Sequence, residues 1–471
     1  MGPAEEAAQR LAKYREQGCQ RIKVAFTDVD GVLRGKYLSL DKFAKLLEGG
    51  GGWCDCVFGW DIDDALYDRP GYTGWHRGFP DARYRLQLTT ERWLEDEGCP
   101  QFLAQFEAAA GETTPGGETT PGGEATPPCP RRLLSDALAA LHAHGDLGLT
   151  LRCGFEYEFF VFAETAHSVR AKGYRELTPL SPGNFGYSAL RTATHSELFG
   201  GLMAACEAQR VPLEGLHTET GPGVWEAALA PADGLEGADR AALFKTLAKS
   251  FFARRELLAT FMAKWSMAVP GQSGHFHCSL IDPESRNRFA DDQADYGMSL
   301  LQRQALAGVM RHLPQWLVML APSINSYTRL VPGAWAPTAA TWGVENRTAA
   351  VRVIPGGAGQ RLEIRVPGAD SNPYLVAAAM AHAMRLGLEE GLEPPAPVIG
   401  NAYELEAGLP AAQRFPSTLR EATARFAACD AARDAFGADW VAHYVQSRDW
   451  ESREYERHVN DWQLERYFEL I

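Results

Sequence analysis

The sequence lacks several features that define large classes of proteins. No apolar run approaches the roughly 18 residues of a membrane-spanning helix, and the opening MGPAEEAAQR lacks the apolar core of a signal peptide. The formal net charge of −14 argues against nucleic acid or an anionic membrane as a partner, because either needs a basic surface. The nine cysteines include no Cys-x-x-Cys pair, which is typical of a reducing cytoplasm rather than of a disulfide framework. We therefore expect a cytoplasmic protein that binds neither nucleic acid nor membrane.

One stretch has low complexity: the unit ETTPGG occurs twice between residues 108 and 128. Because it contains no large apolar residue, this stretch cannot bury enough surface to offset the entropy lost on ordering. We predict a disordered linker at residues 108–130, between an N-terminal domain of residues 1–107 and a larger domain of residues 131–471. A chain of 471 residues is also too long for one small core.

Strand-like runs alternate with long segments rich in Ala and Leu in the larger part of the chain. We predict helices there at residues 239–264, 296–319 and 372–391. The last of these begins with Asn372-Pro373, a capping residue followed by the imino acid favoured at a first helical position. The pattern predicts a fold of mixed α and β structure.

RIKVAFTDVDGVLRG, at residues 21–35, is open to two interpretations. A predicted strand leads into Asp28 and Asp30, which resembles the nucleophile loop of haloacid-dehalogenase-type phosphatases. Such an enzyme also needs a downstream Ser or Thr, a Lys and an acidic pair, and the chain offers no convincing set. We therefore assign Asp28 and Asp30 a structural role.

Several predicted strands carry charged residues two positions apart, so that the charges share one face of the strand. A single strand of this kind is usually an amphipathic strand with a solvated face. Several of them, mixing carboxylates, imidazoles and guanidiniums between heavily apolar neighbours, instead predict a polar cavity. Acids there would bind hard cations, and arginines would bind phosphate. The residues concerned are Glu156 and Glu158, His275 and His277, Arg352, and Arg361, Glu363 and Arg365.

A further pair of acids, Glu219 and Glu226, flanks a Gly-Pro-Gly turn in HTETGPGVWE. The turn would let both carboxylates reach one site. On spacing alone, a loop with two solvated acids is an equally good interpretation.

Six segments together resemble the glutamine synthetase superfamily, in the order and with roughly the spacings of that family. They are GFEYEFF, HTETGPGVWE, SGHFHCSL, NSYTRLVPG, ENRTAAVRV and RLEIRVPGADSNPYL. The resemblance covers residues 22–471 apart from the repeat loop. It implies an α+β fold with a small N-terminal β-grasp-like domain and a large catalytic domain. The latter would have a curved antiparallel sheet with surrounding helices.

The resemblance also implies a funnel that holds ATP and two or three divalent cations, Mg²⁺ or Mn²⁺. Its implied metal ligands are Glu158, Glu219 and Glu226 for one cation, and Glu156, His275 and Glu363 for another. The implied nucleotide-binding residues are His277, Ser279, Arg352 and Arg361. Arg347 and Arg352 match arginines that stabilise a transferring phosphoryl group, and Arg329, Arg365 and Gly271 match residues that contact the amino acid. ATP would then phosphorylate the side-chain carboxylate of glutamate, and an amine would attack the acyl phosphate.

The chain departs from glutamine synthetases where ammonia would react. The flap glutamate that helps to deprotonate ammonium is replaced by Trp335 in RLVPGAWAP. Asp61 and Asp64 are candidates for an amine-binding acid, although neither aligns cleanly. The altered region resembles the γ-glutamylpolyamine and γ-glutamyl-monoamine synthetases, in which Trp60 and Trp335 could form a wall for an alkylammonium group.

Two alternatives to an amine ligase stay open: a true glutamine synthetase, and a catalytically inactive structural relative. The resemblance further implies a homo-oligomer of stacked rings, with active sites between subunits.

Overall fold

A computed structural model describes residues 3–108 and 126–471 of the chain. Two β-sheets organise these residues, and a hydrophobic cluster packs against each of them. The architecture is the predicted α+β fold with a curved sheet and surrounding helices. Residues 109–125 of the predicted linker lie outside the described residues. The division at residues 108–130 therefore remains a prediction.

The first sheet has five strands in the order β2-β1-β5-β4-β3 and makes the small β-grasp-like unit. β1 and β5 run parallel, and the other neighbours are antiparallel. Its second helix begins after Ser39, whose hydroxyl accepts a hydrogen bond from the Lys42 amide. The elements are α1 (Pro3–Glu16), β1 (Arg21–Thr27), β2 (Leu33–Ser39), α2 (Leu40–Gly49), β3 (Gly51–Cys54), β4 (Asp81–Leu94) and β5 (Cys99–Phe106).

The second sheet has nine strands, seven of them in the order β12-β13-β14-β11-β6-β8-β7, with β9 and β10 also paired to β6. Its neighbours are antiparallel except for β12 and β13. The apolar side chains of the long central strand alternate with charged ones, as its sequence predicted, and are buried against the helices. The strands are β6 (Thr150–Phe162), β7 (Leu213–Thr218), β8 (Val224–Leu229), β9 (Ala232–Asp233), β10 (Leu258–Thr260), β11 (Gly274–Ile281), β12 (Trp342–Val344), β13 (Val351–Ile354) and β14 (Arg361–Ile364).

Helices surround the second sheet, and one of them is shorter than predicted. The helix expected at residues 239–264 ends at Ala253. Glu256 then adopts a left-handed φ of 57°, the Leu257 amide donates to the Phe252 carbonyl, and the chain continues as β10 beside β6. The helices are α3 (Pro130–His142), α4 (Ala166–Ala171), α5 (Ala189–Thr194), α6 (Ser196–Ala208), α7 (Leu235–Ala253), α8 (Leu300–Leu320), α9 (Ser326–Arg329), α10 (Pro373–Glu389), α11 (Leu419–Ala427), α12 (Asp430–Phe436), α13 (Ala438–Glu456) and α14 (Asp461–Tyr467).

Asp28 closes the turn between β1 and β2. One carboxylate oxygen accepts hydrogen bonds from the amides of Asp30 and Val32, and the other accepts one from the Arg34 side chain at 2.8 Å. Gly31 has a φ of 82°, a left-handed conformation that a residue with a side chain rarely adopts. Both carboxylate oxygens of Asp28 thus serve the turn, in agreement with the structural role that we assign to it.

Helix α13 fastens the turns of the first sheet to the rest of the molecule. The buried Arg448 guanidinium donates to Asp30, and the Trp450 indole donates to Asp61 at 2.7 Å. Arg453 forms a bidentate ion pair with Asp68. Three side chains of one distant helix therefore hold the turns of the first sheet.

In the described ranges, no helix is both long enough and apolar enough to cross a membrane. All nine cysteines fall in these ranges, and all are free thiols.

Candidate active site

A row of charged side chains crosses one face of the second sheet. The strand register sets Arg352 opposite Glu363, and Glu363 opposite His277. It also sets His275 opposite Glu156. Glu158 of the same central strand lies opposite Glu226 of β8. Since alternate residues of a strand point to the same face, antiparallel pairing brings together side chains from five separate segments.

Glu156, His275 and Glu363 form one tight group, which we call the inner group. The His275 Nδ1 atom lies 3.2 Å from Glu156 Oε2 and 3.4 Å from Glu363 Oε1. One ligand atom from each residue lies within 4.8 Å of the others, which is the spacing that a shared cation requires. The family resemblance implies these three residues as ligands of one metal, and the structure brings them together.

His217, Glu219 and Glu226 form a second group, which we call the outer group. The His217 Nε2 atom lies 3.2 Å from Glu226 Oε1, and its Nδ1 atom lies 3.9 Å from Glu219 Oε2. Sequence reasoning missed His217, although its place two residues before Glu219 on β7 could have indicated a shared face. Glu158, predicted for this metal, lies opposite Glu226, and one of its oxygens accepts the Ser273 amide at 2.7 Å.

The outer group lies in surroundings of negative charge. Burial and the neighbouring carboxylates of Glu156 and Glu158 raise the pKa of Glu226 to about 8. Burial would lower the pKa of His217, but its hydrogen bond to Glu226 and the charge of Glu219 outweigh burial and raise that pKa to about 9. Both shifts mean that the site favours binding positive charge, in keeping with a set of oxygen ligands suited to a divalent cation.

Buried cations compensate the inner group more fully. Burial alone would raise the pKa of Glu363, but His275, Arg365 and Arg352 outweigh it and hold that pKa at about 2. Burial would likewise raise the pKa of Glu156, and its hydrogen bonds to both histidines hold it well below its usual range instead. The inner carboxylates are therefore ionised and ready to bind a cation at neutral pH.

Two arginines meet at Glu363 and a third lies apart from it. Arg352 donates to Glu363 Oε2 at 2.9 Å, and Arg365 donates to its other oxygen. The Arg347 side chain is exposed and lines a neighbouring cavity, and no described residue forms a hydrogen bond or an ion pair with it. Arg347 is thus free to contact a ligand, whereas Arg352 is already oriented by a carboxylate.

Arg329 and Gly271, both predicted to contact the amino acid, touch each other. A side chain at Gly271 would come within 2.8 Å of the Arg329 side chain, so this close approach requires glycine. The buried Arg329 guanidinium donates to the carbonyls of Val366 and Arg365. The Nε atom of Arg365 is buried with no hydrogen-bond partner among the described residues, and such a donor is suited to a bound carboxylate.

His277, Ser279 and Arg361, predicted to bind nucleotide, line one cavity of about 330 Å³ together with Glu156 of the inner group. The Arg361 Nε atom lies 3.3 Å from His277 Nδ1. A ligand in this cavity would lie next to the inner group.

The side chains predicted for amine binding lie apart within one chain. Trp335 is 65% exposed and lines a cavity of about 570 Å³ with Arg347. Asp61 accepts hydrogen bonds from the amides of Asp63 and Ala65, besides the one from the Trp450 indole. Asp64 pairs with Arg34, whose guanidinium also lies 5.1 Å from the centre of the Trp60 ring. Asp61, Asp64 and Trp60 are therefore engaged with the first sheet and with α13.

The sequence that forms this sheet face, with its carboxylate and histidine groups, is similar to that of a known family. Residues 127–467 match the model of the glutamine synthetase catalytic domain. The chain belongs to the glutamine synthetase family, and its similarities extend to the γ-glutamyl amine ligase branch.

Three relatives show the range of this similarity. The chain is 41% identical to type-1 glutamine synthetase 2 of Dictyostelium discoideum, over 96% of this chain and 84% of the relative. It is 35% identical to the γ-glutamylethanolamide synthetase GlnA4 of Streptomyces coelicolor, over 96% and 93% of the two chains. It is 32% identical to a glutamate–isopropylamine ligase of a Pseudomonas species, over 99% and 100%.

The fold is also similar to that of a solved structure, the GmaS/ADP complex. The two share a TM-score of 0.81 at 24% identity, over 97% of this chain and 99% of the other. At that identity the similarity establishes the fold only.

Proposed function

We propose that the protein is an ATP-dependent ligase that joins the γ-carboxylate of L-glutamate to an organic amine through a γ-glutamyl phosphate intermediate. The amine would be a polyamine, a monoamine or ethanolamine. The observation that carries the proposal is Trp335, an exposed indole beside Arg347 where the family resemblance implies an acid. An indole cannot accept a proton from ammonium, but it can pack against the carbon atoms or the charge of an alkylammonium group.

The two groups of ligands suit Mg²⁺ or Mn²⁺. Glu156, His275 and Glu363 would hold one cation, and Glu158, Glu219 and Glu226 another, with His217 beside both Glu219 and Glu226. When bound, such cations supply charge neutralisation for a transferring phosphoryl group. The excess negative charge around Glu226 supports this proposal independently of any resemblance.

The arginines of the chain would divide the remaining work. Arg352 and Arg347 would stabilise the negative charge that spreads over the moving phosphoryl group, because guanidinium groups bind phosphate oxygens in a fork. Arg365 and Arg329 would orient the glutamate carboxylates, with Gly271 allowing its loop to pack directly against the Arg329 side chain.

His277, Ser279 and Arg361 would bind ATP in their shared cavity. A nucleotide bound there would lie next to Glu156 of the inner group.

Asp61 and Asp64 remain proposals for an amine-side role. In the described chain they contact α13 and Arg34 of β2, and we propose that they act on the funnel of a neighbouring subunit. That placement fits the proposed homo-oligomer of stacked rings, with active sites between subunits. We also propose a cytoplasmic location, which the nine free thiols support.

A true glutamine synthetase is the second candidate, and the 41% identity to a protein of that name favours it. This candidate would need another base in place of the flap acid. A catalytically inactive relative gains no such support, because the candidate ligands of both cation groups are retained on one face.

The experiment is a substrate panel in an assay for ADP release. The purified protein is given ATP, Mg²⁺ or Mn²⁺ and glutamate, with ammonium or with ethanolamine, isopropylamine, putrescine or spermidine, and mass spectrometry identifies the γ-glutamyl product. We expect at least one organic amine to give a kcat/KM well above that of ammonium. A larger kcat/KM with ammonium than with every organic amine would refute the proposal and favour glutamine synthetase.

A further inference from the structure

We propose that Glu345 binds and deprotonates the amine, and that this site takes a primary alkylammonium whose carbon chain packs on Trp335. The inference rests on the proposed function and gives it a specific residue. The flap position has no acid, so a carboxylate from another segment is needed to accept a proton from the attacking nitrogen. Glu345 lies in the loop that connects β12 to β13.

The cavity beside Trp335 has the composition of an alkylammonium site. Its volume is about 570 Å³, and Val344 and Ile399 add apolar surface to that of the indole. Glu345 is the one acidic residue among the described residues that line it, and Arg347 supplies the one guanidinium. In such a cavity the carboxylate provides an ion pair for the ammonium, and the indole provides a cation–π or apolar contact for the rest of the substrate.

A single guanidinium connects Glu345 to the inner group. The Arg352 Nε atom donates to Glu345 Oε2 at 2.9 Å, and its Nη1 atom donates to Glu363 Oε2 at 2.9 Å. A nitrogen bound at Glu345 would therefore lie next to the arginine that we assign to the phosphoryl group. The Oε1 atom of Glu345 accepts no hydrogen bond from the described residues, and the side chain is 50% exposed, so this oxygen is available to a ligand.

The backbone at both residues is unusual. Trp335 and Glu345 have φ values of 56° and 52°, in the left-handed region that bulky residues rarely occupy. Such conformations are costly and concentrate at ligand-binding and catalytic positions. Here both residues line one cavity.

The proposed step balances as follows. The alkylammonium donates one proton to Glu345 Oε1 and becomes a neutral amine with a free electron pair. That pair attacks the carbonyl carbon of γ-glutamyl phosphate, a C–N bond forms, and the C–O bond to phosphate breaks. Phosphate leaves with the bonding electrons, and the second proton on nitrogen leaves with it. Glu345 returns its proton to solvent.

Activity with hydroxylamine in place of an organic amine distinguishes a role of Glu345 as the base from a purely structural role. An alkylammonium has a pKa of about 10, as a lysine side chain has, whereas hydroxylamine is largely neutral at pH 7 and needs no base to attack the acyl phosphate. We expect E345Q to lower kcat/KM for ethanolamine or putrescine by at least about 100-fold. Formation of γ-glutamyl hydroxamate should stay within about threefold of wild type. The matched control is E393Q, since Glu393 is an equally exposed glutamate paired with an arginine on the surface, and it should leave both activities unchanged.

Three outcomes would overturn the assignment. Equal losses with the amine and with hydroxylamine would show that Glu345 only orients Arg352. Unchanged activity with both would show that it does neither. If wild-type protein forms no hydroxamate and releases no ADP with glutamate, the proposed function itself fails and the assignment fails with it.

Discussion

Removing the Asp30 carboxylate should weaken the attachment of the first sheet to α13. The Arg448 side chain is 4% exposed and that of Asp30 is 9% exposed, so the ion pair is almost dry. Burial would lower the pKa of Arg448, but Asp30 outweighs burial and raises it, so the guanidinium stays charged. Substitution D30N removes the carboxylate that is paired with this buried charge, which costs about 3–5 kcal/mol.

The double variant D30N/R448M tests whether the lost stability comes from the unpaired buried charge. It removes the buried charge, and its main residual cost is the Pro322 carbonyl, which loses the Arg448 donor at 2.8 Å. One unsatisfied buried acceptor costs about 1–3 kcal/mol, so the double variant should be more stable than D30N alone. D68N is the control: it breaks a partly exposed pair with Arg453 on the same helix and should cost under about 1 kcal/mol.

Urea unfolding and limited proteolysis of the first sheet would measure these effects. Proteolysis reports local release of the sheet even where the two hydrophobic clusters unfold in separate steps. If D30N lowers the free energy of unfolding by no more than D68N does, or if the double variant is less stable than D30N, then the pair of Asp30 and Arg448 does not fasten the sheet. Our reasoning would then be wrong.

Four further predictions follow from the same structure. E363A should abolish ATP-dependent phosphorylation of glutamate and weaken Mn²⁺ binding in calorimetry, because the inner group loses a ligand and two arginines lose their partner; unchanged binding would contradict the metal assignment. R329A should raise KM for glutamate at least tenfold with little change in KM for ATP, and a reversed pattern would contradict it. W335E should increase the ratio of ammonium to organic-amine activity, and an unchanged ratio would count against the flap assignment. Burial lowers the pKa of Lys245 to about 7 from an ordinary 10.5, so its contribution to stability is full above pH 10.5 and is lost as the pH falls towards 7. The Tm of K245M minus that of wild type should therefore be higher at pH 7 than at pH 10. A difference in Tm that does not change with pH would refute this prediction.

The sequence predicted the charged strand faces well because alternation along a strand is a local property. Glu156, His275 and Glu363 could each be placed on a polar face from their immediate neighbours. Which strands pair, and in which register, depends on tertiary packing, so only the family resemblance could assign those three to one cation.

Other features depended on contacts that no local pattern shows. The end of α7 at Ala253 lies inside an Ala- and Leu-rich run, and it is fixed by a left-handed Glu256 and by strand pairing to β6. The sequence pattern does not identify Glu345, because its proposed role depends on its contact with Arg352 and on the cavity that it lines, and not on spacing along the chain. The sequence offers Asp61 as a candidate for an amine-binding acid, yet the Trp450 indole, 389 positions away, donates a hydrogen bond to it.

The fastening of the first sheet by α13 has a consequence for how the polypeptide matures. Asp30 and Arg448 are separated by 418 positions in the chain, and synthesis proceeds from the amino end at roughly 5–20 residues per second. The small sheet is therefore finished tens of seconds before the helix that anchors it leaves the ribosome. Throughout that interval, the surface that α13 later covers is open to other nascent chains and to chaperones.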